Sequence, residues 1–396
     1  MPMPESVTVG IEDIAFSTAG SVIDLSVIAD AHGVPHDKFY VGIGQNQMSV
    51  AGPDEDPVTL AAAAVDEIKQ RNDLTAVRTL LLATESGVDQ SKSAGVFVHG
   101  LVGLHPNVRV LELKQACYSA TGALMLARSL VTSDPSEKVL VVATDIAKYD
   151  IGSSGEPTQG AGAVAMLIST TPRILALDRP TGVYTDDVMD FWRPNHRKTA
   201  LVDGKFSIEA YLRALSESWE DYSARGGRPY SELTTVCFHQ PFTKMANKAH
   251  RHLAEINSSR QTGEEIATLL DPTQIYNRRI GNTYTASMYF SLISLLENSE
   301  KDLDGAHVGF FSYGSGSVGE FWSATIQPGY RNYISRENSV RKLDCRTEVG
   351  YLEYLDFHQH GLPENGSSAE VERKTSSGGF RLSGIDSDRR RYENFI

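Results

Sequence analysis

Short apolar runs that alternate with helical patterns limit the fold of this chain more than any other feature. In the first half they lie at 77–86, 138–147 and 162–169, each bounded by polar residues. Runs of this length are typical of buried strands. A helix of small residues after Cys117 separates the first run from the second. The alternation predicts an α/β architecture.

The second half repeats this series in the same order. A strand pattern occupies 233–242, a turn enters a helix over 280–296, and a strand, a glycine-rich turn and another strand occupy 307–322. Each copy has a polar residue at the carboxyl end of a strand and another at the entrance of a helix. The chain therefore looks like two copies of one strand–helix unit.

These polar residues are Glu85 and Cys117 in the first copy, and His239 and Asn282 in the second. Ligands of open α/β sheets bind outside the carboxyl ends of the strands. Since both copies present their polar residues in this way, we expect the four side chains to converge on one site.

We divide the chain into an N-terminal half, 1–172, and a C-terminal half, 173–396. The second half contains a predicted insert over 181–230, which begins with turn formers and charged residues, and a C-terminal extension over 330–396. Within this extension, 362–379 is polar and poor in apolar residues, which predicts a long surface loop. The sequence after it has enough pattern to return as a strand.

Composition narrows the class of protein. The net charge of −13 argues against general binding to nucleic acid or to anionic membranes. Three cysteines are too few for a disulfide framework or a zinc site, and the odd number suits a reducing compartment. The N-terminus lacks a signal-peptide pattern, and no apolar run approaches the ~20 residues that span a bilayer. We expect a soluble cytoplasmic protein.

Cys117 is a candidate nucleophile because it stands at the entrance of a helix. The exposed N–H groups and the dipole of a helix start stabilise a thiolate, which predicts a lowered pKa for this thiol. Small residues after it leave room for an acyl group. The alternative is an inert core cysteine, the usual state of a free cysteine. We interpret Cys237 as core, and Cys345 lies in a polar segment with nothing to activate it.

Two candidates for acid–base chemistry follow strands. Glu85 is either ion-paired at the rim of the sheet or a general acid–base with a raised pKa. His239 mirrors it, although a histidine near a core is more often only hydrogen-bonded. The glycine-rich turn 313–317 lacks phosphate-loop spacing. It either aims backbone N–H groups at an oxyanion or is a simple β-turn.

Two groups of basic residues stand out in an acidic chain. Lys244, Lys248 and His252 are spaced at i, i+4 and i+8, so they share one helix face. The second group lies in the insert and consists of Arg193, Arg197 and Lys198. Such groups indicate either local phosphate binding or a solvated surface.

Together these features resemble the bacterial type of 3-hydroxy-3-methylglutaryl-CoA (HMG-CoA) synthase, a family of thiolase-fold condensing enzymes. The resemblance runs from Phe39 to the C-terminus. The matching strings are VGIGQNQMSV, ATESGVDQSK, ELKQACYSATGAL, DVMDFWRP, HQPFTKMANKA, GNTYTAS and SYGSGSVGEF. Because they are long and in order, the resemblance is specific.

The resemblance implies a five-layer α-β-α-β-α fold of two similar halves and a homodimer. It implies that Cys117 takes the acetyl group of acetyl-CoA. Glu85 would be the base toward the acetyl methyl and the acid toward the alkoxide, and His239 would polarise the carbonyl of acetoacetyl-CoA. Water would release HMG-CoA, with no cofactor or metal, in the mevalonate pathway of isoprenoid synthesis.

The resemblance also implies a wider set of substrate-site residues. Asn282 would belong to the acceptor site, and backbone N–H groups near Ser315 would stabilise an oxyanion. Two acidic residues would influence catalysis from behind the site, a tyrosine would line it, and two lysines would contact CoA phosphates. These five are Asp145, Asp190, Tyr149, Lys244 and Lys248.

Four alternatives arise within and beyond the superfamily, and the last two of them stay open. A thiolase would need a second cysteine in the late glycine-rich turn, and a β-ketoacyl-carrier-protein synthase III or chalcone-synthase-like enzyme would lack Glu85. A polyketide β-branching synthase shares the Cys–Glu–His set but takes its acyl groups from carrier proteins. A non-catalytic thiolase-fold partner protein is the alternative of a different class.

Overall fold

The computed structural model describes residues 7–374 and 378–395, and strands supply its framework. The strands are β1 (Gly10–Thr18), β2 (Ser21–Asp24), β3 (Gln47–Val50), β4 (Val77–Ala83), β5 (Arg109–Leu113), β6 (Lys138–Ile146), β7 (Ala161–Ser169), β8 (Leu175–Leu177), β9 (Gly182–Thr185), β10 (Phe191–Trp192), β11 (Leu201–Val202), β12 (Thr235–Phe238), β13 (His307–Gly314), β14 (Val318–Ile326), β15 (Thr347–Glu348), β16 (Ala369–Glu370), β17 (Phe380–Asp386) and β18 (Arg389–Asn394).

Helices alternate with these strands. They are α1 (Leu25–His32), α2 (Pro57–Arg71), α3 (Ala94–Leu101), α4 (Ser119–Ser133), α5 (Gly204–Ala224), α6 (Met245–Ile256), α7 (Gly263–Gln274), α8 (Asn277–Ile280), α9 (Ser287–Asn298), α10 (Arg336–Asp344) and α11 (Tyr351–Gln359). Short 3₁₀ helices include Tyr284–Ala286, and Lys38–Ile43 forms a π-helix.

The main sheet shows the same strand arrangement twice. Its order is β12-β13-β14-β8-β1-β7-β6-β4-β5, with β9 paired to β14. In the first half β4 and β6 are parallel, and β6, β7 and β1 are antiparallel in turn. In the second half β12 and β13 are parallel, and β13 and β14 are antiparallel. Strand β14 also pairs antiparallel with β8 and with β9. The predicted duplication is therefore present in the topology.

Buried side chains define five layers. Helices α4 and α9 share one core cluster with strands of both halves, so they form the middle layer. Helices α2 and α3 cover the outer face of the first half, and α5, α6 and α7 cover that of the second. Helix α9 is buried on nearly every side, which is typical of a helix between two sheets. The predicted α-β-α-β-α arrangement is confirmed.

Local sequence explains why these elements begin where they do. Helix α2 starts at Pro57, whose missing N–H costs nothing at a first helical position. Asp56 caps it by accepting from the N–H groups of Val58 and Thr59 at 2.9 and 3.1 Å. Strand β12 is buried on both faces, since Cys237 faces the middle layer while its neighbours Val236 and Phe238 face the outer helices. The interpretation of Cys237 as a core residue is confirmed.

Several segments differ from the sequence prediction or extend it. Strands β1 and β5 were not predicted, because β1 carries acidic residues and β5 mixes apolar with charged residues. Within 181–230, β9 belongs to the main sheet and α5 to the outer layer, while the boundaries of the insert and of the two halves stay predictions. The polar segment 362–379 contains β16, and its residues 375–377 lie outside the described residues. The predicted strand after it is present as the hairpin β17–β18.

Over residues 7–374 and 378–395, none of the helices combines the length and the apolar character that crossing a membrane requires.

The middle layer generates a test of the packing. Leu124 of α4 is 0% exposed, whereas Leu126 of the same helix is 50% exposed. We expect Leu124→Ala to lower the free energy of unfolding by about 3 kcal/mol, because it leaves a cavity between the sheets. Leu126→Ala should change it by less than about 1 kcal/mol, measured by urea denaturation. Equal losses in the two variants would contradict the assignment of α4 to the middle layer.

Candidate active site

The site forms where strand ends and helix entrances of both halves meet. Glu85 follows β4 by two residues, and Cys117 precedes α4 by two. Asp145 lies near the end of β6, and His239 comes directly after β12. Asn282 lies between α8 and the 3₁₀ helix that leads into α9. These residues therefore lie at strand ends and helix entrances, as the sequence pattern predicts.

Cys117 and Glu85 are in direct contact. The thiol donates a hydrogen bond from Sγ to Glu85 Oε1 at 3.2 Å. Glu85 is 9% exposed, and its burial raises the pKa of its carboxyl to about 8, assisted by the negative charge of Asp145. Cys117 and Arg193 oppose this rise without cancelling it. Glu85 is therefore a carboxyl group that can hold or release a proton near neutral pH.

The prediction of a lowered pKa for Cys117 is wrong. Withdrawal from water raises the pKa of this thiol well above its usual value, and the negative charges of Glu85, Asp145 and Asp190 raise it further. A helix dipole contributes at most about 2 kcal/mol, so it is outweighed here. At rest Cys117 is therefore a protonated thiol that donates to Glu85.

Asp145 is the most heavily hydrogen-bonded group of the site. Its Oδ1 accepts from Thr84 Oγ1, the Glu85 N–H and the Ser86 N–H, each at 2.9 Å, and from Ser86 Oγ at 2.8 Å. Its Oδ2 accepts from the N–H and Oγ1 of Thr285 at 3.1 and 2.6 Å. Burial raises the pKa of Asp145, while these donors lower it. Because both oxygens only accept, the arrangement suits the ionised form.

His239 supplies a neutral imidazole. It is buried, and burial lowers its pKa to about 3, so the ring carries no charge at neutral pH. Its backbone is fixed on both sides, since its N–H donates to the Phe311 carbonyl at 2.9 Å and its carbonyl accepts from Tyr211 Oη at 2.8 Å. A neutral imidazole donates a hydrogen bond to a carbonyl oxygen without bringing a net charge into the site.

Asn282 joins the two halves through its backbone. Its N–H donates to the Thr158 carbonyl at 2.9 Å, and its Oδ1 accepts from the Tyr284 N–H at 2.9 Å. This second bond fixes the entrance of the 3₁₀ helix. Gly281 before it has φ of 87°, and a Cβ there would lie 1.9 Å from the Gln159 carbonyl oxygen, so glycine is required.

Aromatic rings form one wall beside the thiol. The ring centroids of Tyr149 and Phe191 lie 6.1 Å apart, those of Tyr149 and Tyr284 lie 6.3 Å apart, and those of Phe191 and Tyr284 lie 5.7 Å apart. Cys117 packs against this cluster. Tyr149 therefore packs beside the thiol, while its role toward the substrate stays a prediction, and the other two rings were not predicted.

The glycine-rich turn between β13 and β14 is held from behind. Asp190 accepts from Tyr313 Oη at 2.8 Å and from the Gly316 N–H at 3.0 Å. The Ser317 N–H donates to the Asp186 carbonyl. The Ser315 carbonyl accepts from Gln115 Nε2 at 3.3 Å. Two amides of the turn are therefore engaged, which leaves the Ser315 N–H as the candidate oxyanion donor there.

The two basic groups are placed differently. Lys244 and Lys248 are exposed at the start of α6, and Lys248 lies 5.2 Å from the Phe242 ring centroid. In the insert, Arg197 pairs with an aspartate at 2.8 Å and Lys198 with a glutamate at 2.6 Å. Arg197 and Lys198 line a cleft of about 1210 Å³ that is also lined by Glu85 and Arg193. Among the described residues, Lys244 and Lys248 do not line this cleft.

Sequence reasoning missed three contributors to the site. Ser86 and Thr285 are hydrogen-bond donors to Asp145, and Arg193 contacts the backbone of Glu85. Hydroxyl donors beside a buried carboxylate have no sequence pattern of their own. For Arg193, the signal is its place three residues after Asp190 in the string DFWRP.

Acyl transfer is the chemistry that this arrangement can perform. A thiol in contact with a carboxyl of raised pKa can carry an acyl group and exchange protons with that carboxyl. The fold and the site thus define a thiolase-fold, acyl-transferring enzyme.

Comparison with known families identifies the group within this class. The model for the N-terminal part of hydroxymethylglutaryl-coenzyme A synthase matches residues 4–172, and that for the C-terminal part matches 175–272 and 262–394. The chain belongs to the HMG-CoA synthase family.

Relatives and solved structures agree with this assignment. The hydroxymethylglutaryl-CoA synthase of Enterococcus faecalis is 42% identical over 98% of this chain and its own whole length. A crystal structure of an HMG-CoA synthase complexed with CoA superposes with a TM-score of 0.93 at 38% identity, covering 98% of this chain and 100% of that one. The polyketide biosynthesis 3-hydroxy-3-methylglutaryl-ACP synthase of Bacillus subtilis is 30% identical over 91% of this chain and 90% of its own.

The contacts of Asp145 generate a test of the site's framework. We expect Asp145→Asn to lower the free energy of unfolding by about 3 kcal/mol, because the amide nitrogen opposes donors where an oxygen accepted them. Asp271, which is half-exposed and paired with Arg278 at 2.7 Å, provides the control. Asp271→Asn should cost less than about 1 kcal/mol. Thermal and urea denaturation measure both, and an unaltered Asp145→Asn stability would contradict the framework role.

Proposed function

We propose that the enzyme condenses acetyl-CoA with acetoacetyl-CoA and water to give HMG-CoA and CoA, as a step of the mevalonate pathway. The contact between Cys117 Sγ and Glu85 Oε1 at 3.2 Å carries this proposal. It places the group that accepts the acetyl chain beside a carboxyl that can act as both base and acid. The two residues match the positions that the resemblance assigns to this reaction.

The first step acetylates Cys117. Its sulfur attacks the thioester carbonyl of acetyl-CoA, the bond from that carbonyl to the CoA sulfur breaks, and the thiol proton leaves with CoA. Backbone N–H groups at Cys117 and Ser315 are the proposed donors to the oxyanion. Covalent attachment turns the later encounter of two substrates into a local reaction.

The second step forms the carbon–carbon bond. Glu85, as a carboxylate, removes a proton from the methyl group of acetyl-Cys117, and the resulting carbanion attacks C3 of acetoacetyl-CoA. The neutral His239 donates to the acceptor's carbonyl oxygen as charge develops there. Glu85 then returns its proton to the alkoxide. Water hydrolyses the thioester at Cys117, which releases HMG-CoA and restores the thiol.

Free CoA thioesters are the substrates that we propose. Lys244 and Lys248 are exposed at the start of α6, so CoA phosphates can reach them. Asn282 would hold the acceptor. The polyketide relative, named for its carrier-protein substrate, is 30% identical, against 42% for the hydroxymethylglutaryl-CoA synthase of Enterococcus faecalis. This difference favours CoA over a carrier protein.

The reaction so described requires no cofactor, since Cys117 itself carries the acetyl group. We propose a cytoplasmic location. All three cysteines are free thiols, which suits a reducing compartment.

Acetyl-CoA alone should acetylate Cys117, as measured by intact-mass analysis. Cys117→Ala should take no acetyl group. Glu85→Ala should still be acetylated, because the thiol proton leaves with CoA and the substitution removes a group that raises the pKa of the thiol. The same variant should lose condensation by a factor of about 100 or more, in an assay of acetoacetyl-CoA loss.

A carrier-protein arm separates the two substrate classes. If acetyl groups reach Cys117 only from an acetylated carrier protein, the polyketide alternative replaces our proposal. If Glu85→Ala condenses at the wild-type rate, the role of Glu85 is wrong. A wild type that takes no acetyl group from either donor would favour the non-catalytic alternative.

We further propose that the enzyme is a homodimer joined at β5. Within the described part of the chain, this strand ends the main sheet and pairs on one side only, with β4. Its Leu111 is 51% exposed, which is unusual for a central residue of a strand. An unpaired edge with an exposed apolar side chain is suited to pairing with a second copy about a twofold axis.

The dimer proposal predicts that Leu111→Glu shifts the protein toward the monomer. The buried charges of two copies would face each other across the interface. Leu352→Glu on α11, where the leucine is 81% exposed, is the control and should stay dimeric. Sedimentation velocity measures both, and a wild type that sediments as a monomer would overturn the proposal.

A further inference from the structure

We propose that Arg193 is a positioning residue for Glu85, holding the peptide that carries this carboxyl and supplying the positive charge against which it ionises. The inference rests on the proposed function, because it concerns the step in which Glu85 acts as a base. Arg193 itself has no assigned role in that reaction, and the sequence alone offered only phosphate binding or a solvated surface for it.

The geometry shows that the backbone of Glu85 is held at both ends. Its N–H donates to Asp145 Oδ1 at 2.9 Å. Its carbonyl oxygen accepts from Nη2 of Arg193. The side chain between these two anchors reaches Cys117 Sγ. A shift of either anchor therefore displaces the carboxyl relative to the thiol.

Arg193 reaches Glu85 from the other half of the chain. It directly follows β10, which pairs with β11 through Phe191 and Trp192. Phe191 packs in the aromatic wall beside the thiol, and Asp190 before it is tied to the glycine-rich turn. The guanidinium is thus aimed by a segment that is itself fixed at two points, which limits the freedom of its long side chain.

The positive charge of Arg193 also acts on the ionisation of the Glu85 carboxyl. Arg193 contacts the backbone of Glu85, and its positive charge lowers the pKa of this carboxyl against the effects of burial and of Asp145. A second carboxylate beside Asp145 is unfavourable unless a cation balances it. The titratable or charged groups around Glu85 are Asp145, Cys117, Arg193, Tyr149, Tyr284 and Asp190.

The two steps of the reaction should depend on Arg193 differently. Acetylation of Cys117 needs no ionised Glu85, since the thiol proton leaves with CoA. Condensation needs the carboxylate, and therefore needs its counter-charge. A residue that only stabilised the fold would affect both steps alike.

The test compares Arg193→Gln with Arg193→Lys. For Arg193→Gln we expect condensation at pH 7 to fall by a factor of about 10 to 100, with the KM for acetoacetyl-CoA changed less than about threefold. The low-pH limb of its kcat profile should move to higher pH, because removing the cation raises the pKa of Glu85. Acetylation from acetyl-CoA alone should continue. Arg193→Lys retains the charge and should restore most of the limb's position.

Arg225→Gln is the matched control, because Arg225 is an exposed arginine in the same half that pairs with Asp221 one helical turn away. Its profile should coincide with that of the wild type. An unmoved limb in Arg193→Gln, or an equal loss of acetylation and condensation, would overturn the inference. If the wild type itself fails to condense the two CoA thioesters, the proposed function fails instead. If Arg193→Gln does not fold, the test uses Arg193→Lys alone. A loss of condensation in Arg193→Lys as large as that in Glu85→Ala would then overturn the proposed role of the positive charge.

Discussion

The carboxylate of Asp145 is the interaction on which the rest of the site depends. It is fully buried, and an isolated charge in that position would cost several kcal/mol. Six donors from the end of β4 and from the 3₁₀ helix before α9 compensate this cost. Because these donors belong to different halves, the charge can be buried only when the halves are packed together. One carboxylate therefore couples the folding of both halves to the position of Glu85.

Burying Asp145 has a consequence for every other group of the site. A fixed negative charge nearby raises the pKa of Glu85 and of Cys117, and burial leaves His239 neutral. The three reactive groups are thus uncharged at rest. Such a site avoids the cost of three more buried charges. Charge then develops only when an acyl group arrives, and the fixed dipoles around it are already oriented.

Much of this arrangement could be predicted from the sequence, and the failures have physical causes. Glu85, Cys117, His239 and Asn282 were placed correctly at element ends, because polar residues beside buried apolar runs are visible as a pattern. The pKa of Cys117 was predicted in the wrong direction, since the helix start is local but the opposing carboxylates come from distant positions in the chain. Strand β5 was missed because its side chains are partly exposed and carry no alternation that separates it from a loop.

The segment from Asp190 to Arg193 contacts both the glycine-rich turn and the backbone of Glu85. At one end, Asp190 accepts from Tyr313 and the Gly316 N–H, and so fixes the glycine-rich turn. At the other end, Arg193 donates to the carbonyl of Glu85. Since only two residues separate Asp190 from Arg193, a displacement of this segment moves the glycine-rich turn and Glu85 together. The position of Glu85 relative to the glycine-rich turn is therefore influenced by the second half, although Glu85 and Cys117 both belong to the first.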